Sequence, residues 1–283
     1  MLTIESGDAV ALTCREVTDG QVTPDTSSAD LASLDESRIY PLTGPIEVVG
    51  ARPGDTLAIE VLDVRTHTWG WAAIFPGEGL LPDDFPEPYI RHFDLVGEVA
   101  FVREDIGVPL GPFLGTMGVC PSGAAARPVM PPGAFGGNVD IRHLVRGSTL
   151  YLPVELDGAR FSCGDGHAAQ GDGEVCVTAI ETPATATLRF TVLRDRPIPG
   201  PQFRTPSSPP TGEVFGTTGV ASDVFVAAQE AVRAMIEHLS RSSGLGSEDA
   251  YLLTSICVDL HISEIVDAGQ YVVSALLPLS VFS

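Results

Sequence analysis

Asp55-Thr56-Leu57-Ala58-Ile59-Glu60-Val61-Leu62-Asp63-Val64 is the stretch that decides the fold class. Apolar and polar residues alternate along it after a Pro53-Gly54-Asp55 turn, so it reads as a half-buried strand. The same rhythm extends outward. Ser148 to Leu156 is another strand, followed by Asp157-Gly158, which predicts a tight hairpin returning through Arg160-Phe161-Ser162-Cys163. Glu174 to Ile180 reads as one more. Short strands punctuated by Gly, Pro and Asp predict a mainly β protein (α+β overall) with a β-sandwich-like body over residues 1–193.

Residues 194–213 are proline-dense and aperiodic, which predicts a linker or surface excursion. Residues 214–283 form a smaller C-terminal α/β portion. Within it Val224, Phe225, Ala228, Val232, Met235, Ile236 and Leu239 recur at three- and four-residue steps, predicting a helix with Ser222 as N-cap and Gly244 past its end. Ser247 caps a second helix to about Cys257. Ile262 to Ile265 and Tyr271 to Leu276 read as terminal strands.

A formal charge of −21, from 37 acidic and 16 basic residues, repels phosphate backbones and anionic lipid surfaces. Nucleic acid and membrane are therefore excluded as partners. All 16 basic residues are arginines. Without lysine there is no Schiff base, no Walker-type phosphate loop and no conventionally held pyridoxal cofactor. Amide hydrolysis by a Ser/Ser/Lys relay or a Glu/Lys/Cys set is excluded with them. The five cysteines are odd in number and never spaced C-x-x-C, as in a protein of reduced thiols. The Met1-Leu2-Thr3-Ile4-Glu5 start has no basic and apolar leader pattern, so the expected location is cytoplasmic.

The densest polar chemistry lies in Cys163-Gly164-Asp165-Gly166-His167-Ala168-Ala169-Gln170-Gly171-Asp172-Gly173-Glu174, with three carboxylates, one imidazole, one carboxamide and four glycines. It reads as a strand-to-strand loop in which glycines let short side chains converge. Asp165 and His167, two apart, would share a face and could reach one divalent metal. Glu174, at the loop's return, could be a further ligand or the base that takes a proton from water. A second glycine-rich segment ends in Asn138-Val139-Asp140, where alternation aims Asn138 and Asp140 to one side; read alone, Asp140 is a turn or capping residue. His92, His143 and His261 read as structural imidazoles.

Several segments, in order, resemble the acetamidase/formamidase family of metal-dependent amide hydrolases. They are Pro41-Leu42-Thr43-Gly44-Pro45, Gly50-Ala51-Arg52-Pro53-Gly54-Asp55-Thr56-Leu57, Pro112-Phe113-Leu114-Gly115, Pro131 to Asp140, Gly147 to Val154 and the Gly164 to Glu174 loop. The resemblance implies a homo-oligomer of two or more subunits that hydrolyses short-chain linear amides such as formamide and acetamide. Some relatives act on small cyclic amides of the γ-lactam kind. By position, Asp140, Asp165 and His167 look like the metal-site residues and Glu174 like the acid/base, with zinc or calcium as the ion. Asn138 and Gln170 are then expected to bind the substrate amide. Two departures stand out: Tyr40-Pro41 where many relatives carry His-Pro, and Asp259-Leu260-His261 where Asp-Leu-Arg is expected. A competing reading is a non-catalytic small-molecule binding protein that uses the metal as a structural clip.

Overall fold

The computed structural model describes residues 1–123, 127–206, 212–267 and 269–282. Two sheets face each other across the main core. The smaller runs Leu2–Ile4, Thr43–Val48, Phe161–His167, Phe113–Gly118 and Gly136–Asn138 in spatial order. The larger has eight strands, in the order Asp259–Glu264, Tyr271–Pro278, Val214–Ala221, Gln202–Arg204, Thr149–Pro153, Thr56–Thr66, Ala184–Leu193 and Ala9–Cys14. Among the described residues, only the Leu2–Ile4 and Thr43–Val48 pair is parallel within these sheets.

Ile46, Leu114, Met117 and Phe161 of the smaller sheet pack on Leu57, Ile59, Leu150, Leu188 and Phe190 of the larger, all buried in one cluster. This is the sandwich expected from alternation, and the fold is mainly β with a small helical portion. The C-terminal strands do not form a sheet of their own. They continue the sheet that holds Thr56–Thr66, while α1 (Val224–Ser243) and α2 (Ser247–Cys257) bury Ala227, Ala231, Met235 and Ala250 against it.

Three local expectations are corrected. Thr149–Pro153 and Phe161–His167 do not make a hairpin, because they belong to different sheets. Leu150, Leu152 and Val154 face the core from one side and Phe161 and Cys163 from the other. The chain crosses between sheets through Gly158, Ala159 and Arg160, all at positive φ (76°, 57° and 55°). Second, the expected half-buried pattern begins late in Thr56–Thr66, whose first four residues are buried on both faces. The proline-dense stretch covers its outer side, with Thr56 Oγ1 donating to the Arg196 carbonyl. That stretch also contributes the strand Gln202–Arg204; residues 207–211 lie outside the described residues. Third, the helix caps sit one residue away: Asp223 accepts from the Val226 amide at 2.9 Å, and Gly246 precedes α2. Gly244 ends α1 at φ 73°, the left-handed closure that glycine permits.

Candidate active site

The predicted loop is in its first half a strand. Phe161–His167 pairs with Phe113–Gly118, with Gly164 beside Thr116 and Gly166 beside Leu114, so Asp165 lies across from Gly115. A side chain cannot be added at Gly115. A Cβ there would overlap the Asp140 carboxylate and stand 2.7 Å from Asp165 Oδ2 and 2.8 Å from His167 Cε1. Asp140 arrives just past Gly136–Asn138, and its amide and that of Val139 each donate to the Gly115 carbonyl at 3.2 Å. One missing side chain thus lets three polar residues meet.

Glu174 to Ile180 is not a strand. The Glu174 amide donates to Gly171 O and the Val177 amide to Glu174 O, a run of tight turns that returns Glu174 to the site. Asp140, Asp165 and Glu174 all have left-handed backbone, with φ of 44°, 60° and 46°. Each such residue costs about 1–3 kcal/mol and persists only where its surroundings enforce it, commonly at a functional site. Tyr40, beside the same cavity, shares this conformation at φ 62°.

The orientation of His167 follows from its hydrogen bonds. Gln170 Nε2 donates to the Asp140 carbonyl at 2.8 Å, so Gln170 Oε1 is the acceptor facing His167 Nδ1 at 2.8 Å. His167 Nδ1–H therefore points to Gln170. Nε2 faces Asp165 at 3.2 Å, Glu181 at 3.3 Å and Glu174 at 3.8 Å, while Asp140 approaches the Nδ1 side at 3.8 Å. Phe113 packs edge-on against the ring, 5.1 Å between centroids.

All four carboxylates and the imidazole are buried. Among the described residues, neither oxygen of Asp140 has a hydrogen-bond partner, nor does Asp165 Oδ1 or Glu181 Oε2. No arginine pairs with any of them among the described residues. Burial, then the charge of Asp267 and Asp165, holds Asp140 well above the usual carboxylate range; burial, then Asp140, does the same to Glu174. Glu181 is pushed by burial to about 7. Burial would lower His167, yet Glu181 and Asp165 beside it raise it well above its ordinary value. The cluster draws positive charge to the Nε2 side of His167. A divalent cation fits this donor set, with oxygen ligands in excess and one imidazole, and would occupy the orphaned oxygens. Two overlapping triads offer converging atoms: Asp140, Asp165 and His167, and His167, Glu174 and Glu181.

The structure brings Asp140, Asp165, His167 and Glu174 together; residue pattern suggested this for the last three, and the family resemblance for Asp140. It commits Asn138 and Gln170, expected to meet the substrate, to protein neighbours. Asn138 Oδ1 accepts from Thr116 and its Nδ2 donates to Asp267 Oδ2 at 2.5 Å, while Gln170 bridges His167 and Asp140. Sequence reasoning missed Gly115, Glu181, Glu264 and Asp267. Glu181 carries no local sequence signal; its backbone bridges to both His167 and Trp71. A cavity of about 610 Å³ opens over the cluster, with Asp165, His167, Glu174 and Glu181 on one side and Ile39, Tyr40, Trp71 and Phe75 on the other.

The model of the acetamidase/formamidase family matches residues 1–127 and 122–283, which is the whole chain. The chain belongs to this family. Its fold superposes on an acetamidase from Bacillus halodurans with a TM-score of 0.92 at 34% identity, over 100% of this chain and 92% of that one. The formamidase of Methylophilus methylotrophus is 27% identical, over 99% of this chain and 86% of its own length. A γ-lactamase from Delftia acidovorans superposes less closely, with a TM-score of 0.70 at 27% identity over 100% of this chain and 86% of that one.

Proposed function

We propose that this member of the family is an amidase that cleaves the C–N bond of short linear amides, such as formamide and acetamide, to carboxylate and ammonia. The observation that carries the reading is the Asp140 carboxylate, wholly buried with both oxygens unpartnered among the described residues, beside His167, whose ring lines a cavity able to admit a small neutral molecule. Asp140, Asp165 and His167 would hold a divalent ion, zinc or calcium, and Glu181 would add a further carboxylate. When bound, such an ion supplies a Lewis acid that polarises a carbonyl and lowers the pKa of water.

Glu174 is the proton carrier. Its carboxylate lies 3.8 Å from His167 Nε2 on the cavity wall, placed to take a proton from attacking water and give it to the departing nitrogen, which leaves readily only as the neutral amine. Gln170 fixes the His167 tautomer and ties it to the Asp140 backbone, and Asn138 holds Asp267; both are positioning residues in this reading. Tyr40 stays protonated, since burial and then Asp267 raise its phenol well above its usual value, so it can donate to a substrate carbonyl. Ile39, Trp71 and Phe75 give the cavity an apolar wall.

The active form is a homo-oligomer. Asp259–Glu264 is an edge strand with Leu260 and Ile262 exposed, next in sequence to α2, which exposes Tyr251, Leu252 and Ile256. A second copy covering these residues would bury a patch that a monomer leaves wet. No helix among the described residues is long and apolar enough to cross a membrane. A reducing compartment, the cytoplasm, suits Cys14 and Cys163, free thiols 3.9 Å apart.

Ammonia release from formamide and acetamide, before and after metal removal verified by metal analysis, tests the proposal. Turnover that needs the ion supports it. Undiminished turnover by the metal-free protein overturns the metal-dependent route, and preference for a γ-lactam shifts the substrate class to cyclic amides. Ligand-dependent thermal shifts without turnover of either would favour a binding protein.

A further inference from the structure

On the far side of the 169–180 segment a second cavity of about 730 Å³ is lined by His143, Gln170, Gly171, Thr178 and His261. His143 and His261, read from sequence as satisfied structural imidazoles, are not both satisfied. His143 Nε2 and Asp172 Oδ1 are buried atoms with no hydrogen-bond partner among the described residues, 4.0 Å apart. Asp172 Oδ2 lies 2.8 Å from His261 Nδ1. One donor atom from each of the three residues falls within 4.8 Å of the others.

We propose that His143, Asp172 and His261 form a second metal site, separate from the His167 cluster, that takes a divalent transition ion of the zinc class. Two imidazole nitrogens and one carboxylate oxygen are borderline donors, which favour zinc, cobalt or nickel over calcium and magnesium. Zn–N and Zn–O bonds of about 2.0–2.1 Å at the tetrahedral angle place ligands about 3.3 Å apart; Asp172 presents Oδ2 at 2.8 Å from His261 Nδ1 and its other oxygen, Oδ1, at 4.0 Å from His143 Nε2. The rings are already held. His143 stacks on the buried Phe203 at an interplanar angle of 9°, and His261 stands nearly perpendicular to it, 5.7 Å between centroids. The three side chains are each about 30% exposed (28%, 28% and 33%), so an ion has a way in and a fourth position is left for water.

The residues come from three parts of the chain. His143 follows the Asp140 segment, Asp172 sits in the turn between Gln170 and Glu174, and His261 lies on the edge strand Asp259–Glu264. That turn is joined to the edge strand by the Gly173 amide donating to the Ser263 carbonyl at 3.1 Å and by the 2.8 Å contact of Asp172 with His261. An ion held by all three residues adds His143 to these ties and clamps the turn that carries Glu174. Its role is a clip on the Glu174 turn.

Zinc and cobalt titrations of the intact protein, beside H143A/H261A and the milder H261Q, test this. The expected result is one more equivalent of tightly held zinc in the wild-type protein than in H143A/H261A. Cobalt should add tetrahedral ligand-field bands that the double variant lacks, and zinc should raise the Tm of the wild-type protein more than that of H261Q. Equal metal content in all three proteins, or wild-type cobalt spectra without a second tetrahedral component, would overturn the site. The cobalt measurement needs only the wild-type protein, so misfolding of the double variant does not blunt the test. Metal content at the His167 site is read in the same variants. A missing second equivalent with the first present refutes only this inference, whereas loss of both in the wild-type protein strikes the active-site reading.

Discussion

The two polar clusters lie back to back across residues 170–174, yet physics treats them differently. Around His167, carboxylates outnumber the single imidazole and every one of these side chains is buried. Around Asp172, imidazoles outnumber the carboxylate and each side chain still reaches solvent. Burial turns unpartnered oxygens into a strong demand for positive charge, while exposure lets the second cluster survive with protons and water. A buried anionic site is therefore expected to tie ion, fold and catalysis together, and a half-exposed one to hold its ion without the fold depending on it.

The largest effect should come from Glu174→Gln, which keeps the shape of the turn but removes the proton carrier. Turnover of formamide should fall about 10²–10⁴-fold with metal content unchanged; near-normal turnover would remove Glu174 from the mechanism. Gly115→Ala comes next. Its Cβ displaces Asp140 and Asp165, and shifts of about 1 Å in catalytic groups cost on the order of 100-fold in rate. Measured metal content should drop in parallel, unlike in Glu174→Gln.

The third test strips the ion and varies pH. Burial raises Asp267 to about 8 and Glu264 to about 7, both far above their unfolded values. Groups raised in this direction contribute stability that is complete below the unfolded pKa and lost as pH climbs through the folded one. The metal-free protein should therefore lose Tm between about pH 4 and pH 8, by about 5 °C or more. A flat profile would show these carboxylates solvated. The smallest effect is expected at Gly171, where an added Cβ meets nothing within 4 Å. Gly171→Ala should change stability by no more than about 0.5 kcal/mol in a denaturant titration. That result would separate the glycines that shape the site from those that merely accompany it.

Much of the site was legible because its ligand-type residues crowd into one stretch, Asp165 to Glu174. The lack of lysine narrowed the chemistry before any geometry was known. Gly115 and Glu181 were not legible, because neither looks unusual beside its own neighbours. Gly115 matters only through the sheet register that sets it across from Asp165, and Glu181 only because its backbone bridges to His167. The Asp157-Gly158 turn misled for a related reason. A two-residue signal describes a change of direction, and the apolar residues on either side decided that the chain would cross the core.

Alternation, turn residues and the helical repeat after Ser222 determined the mainly β body, its helices and the crowded polar stretch, since these depend on neighbours a few residues apart. Tertiary structure alone decided that Asp140 meets Asp165 over Gly115, that Asn138 and Gln170 spend their amides on the protein, and that His143 and His261 converge on Asp172. Those outcomes depend on which backbones lie side by side and which atoms lose their water, and neither is encoded within a single segment.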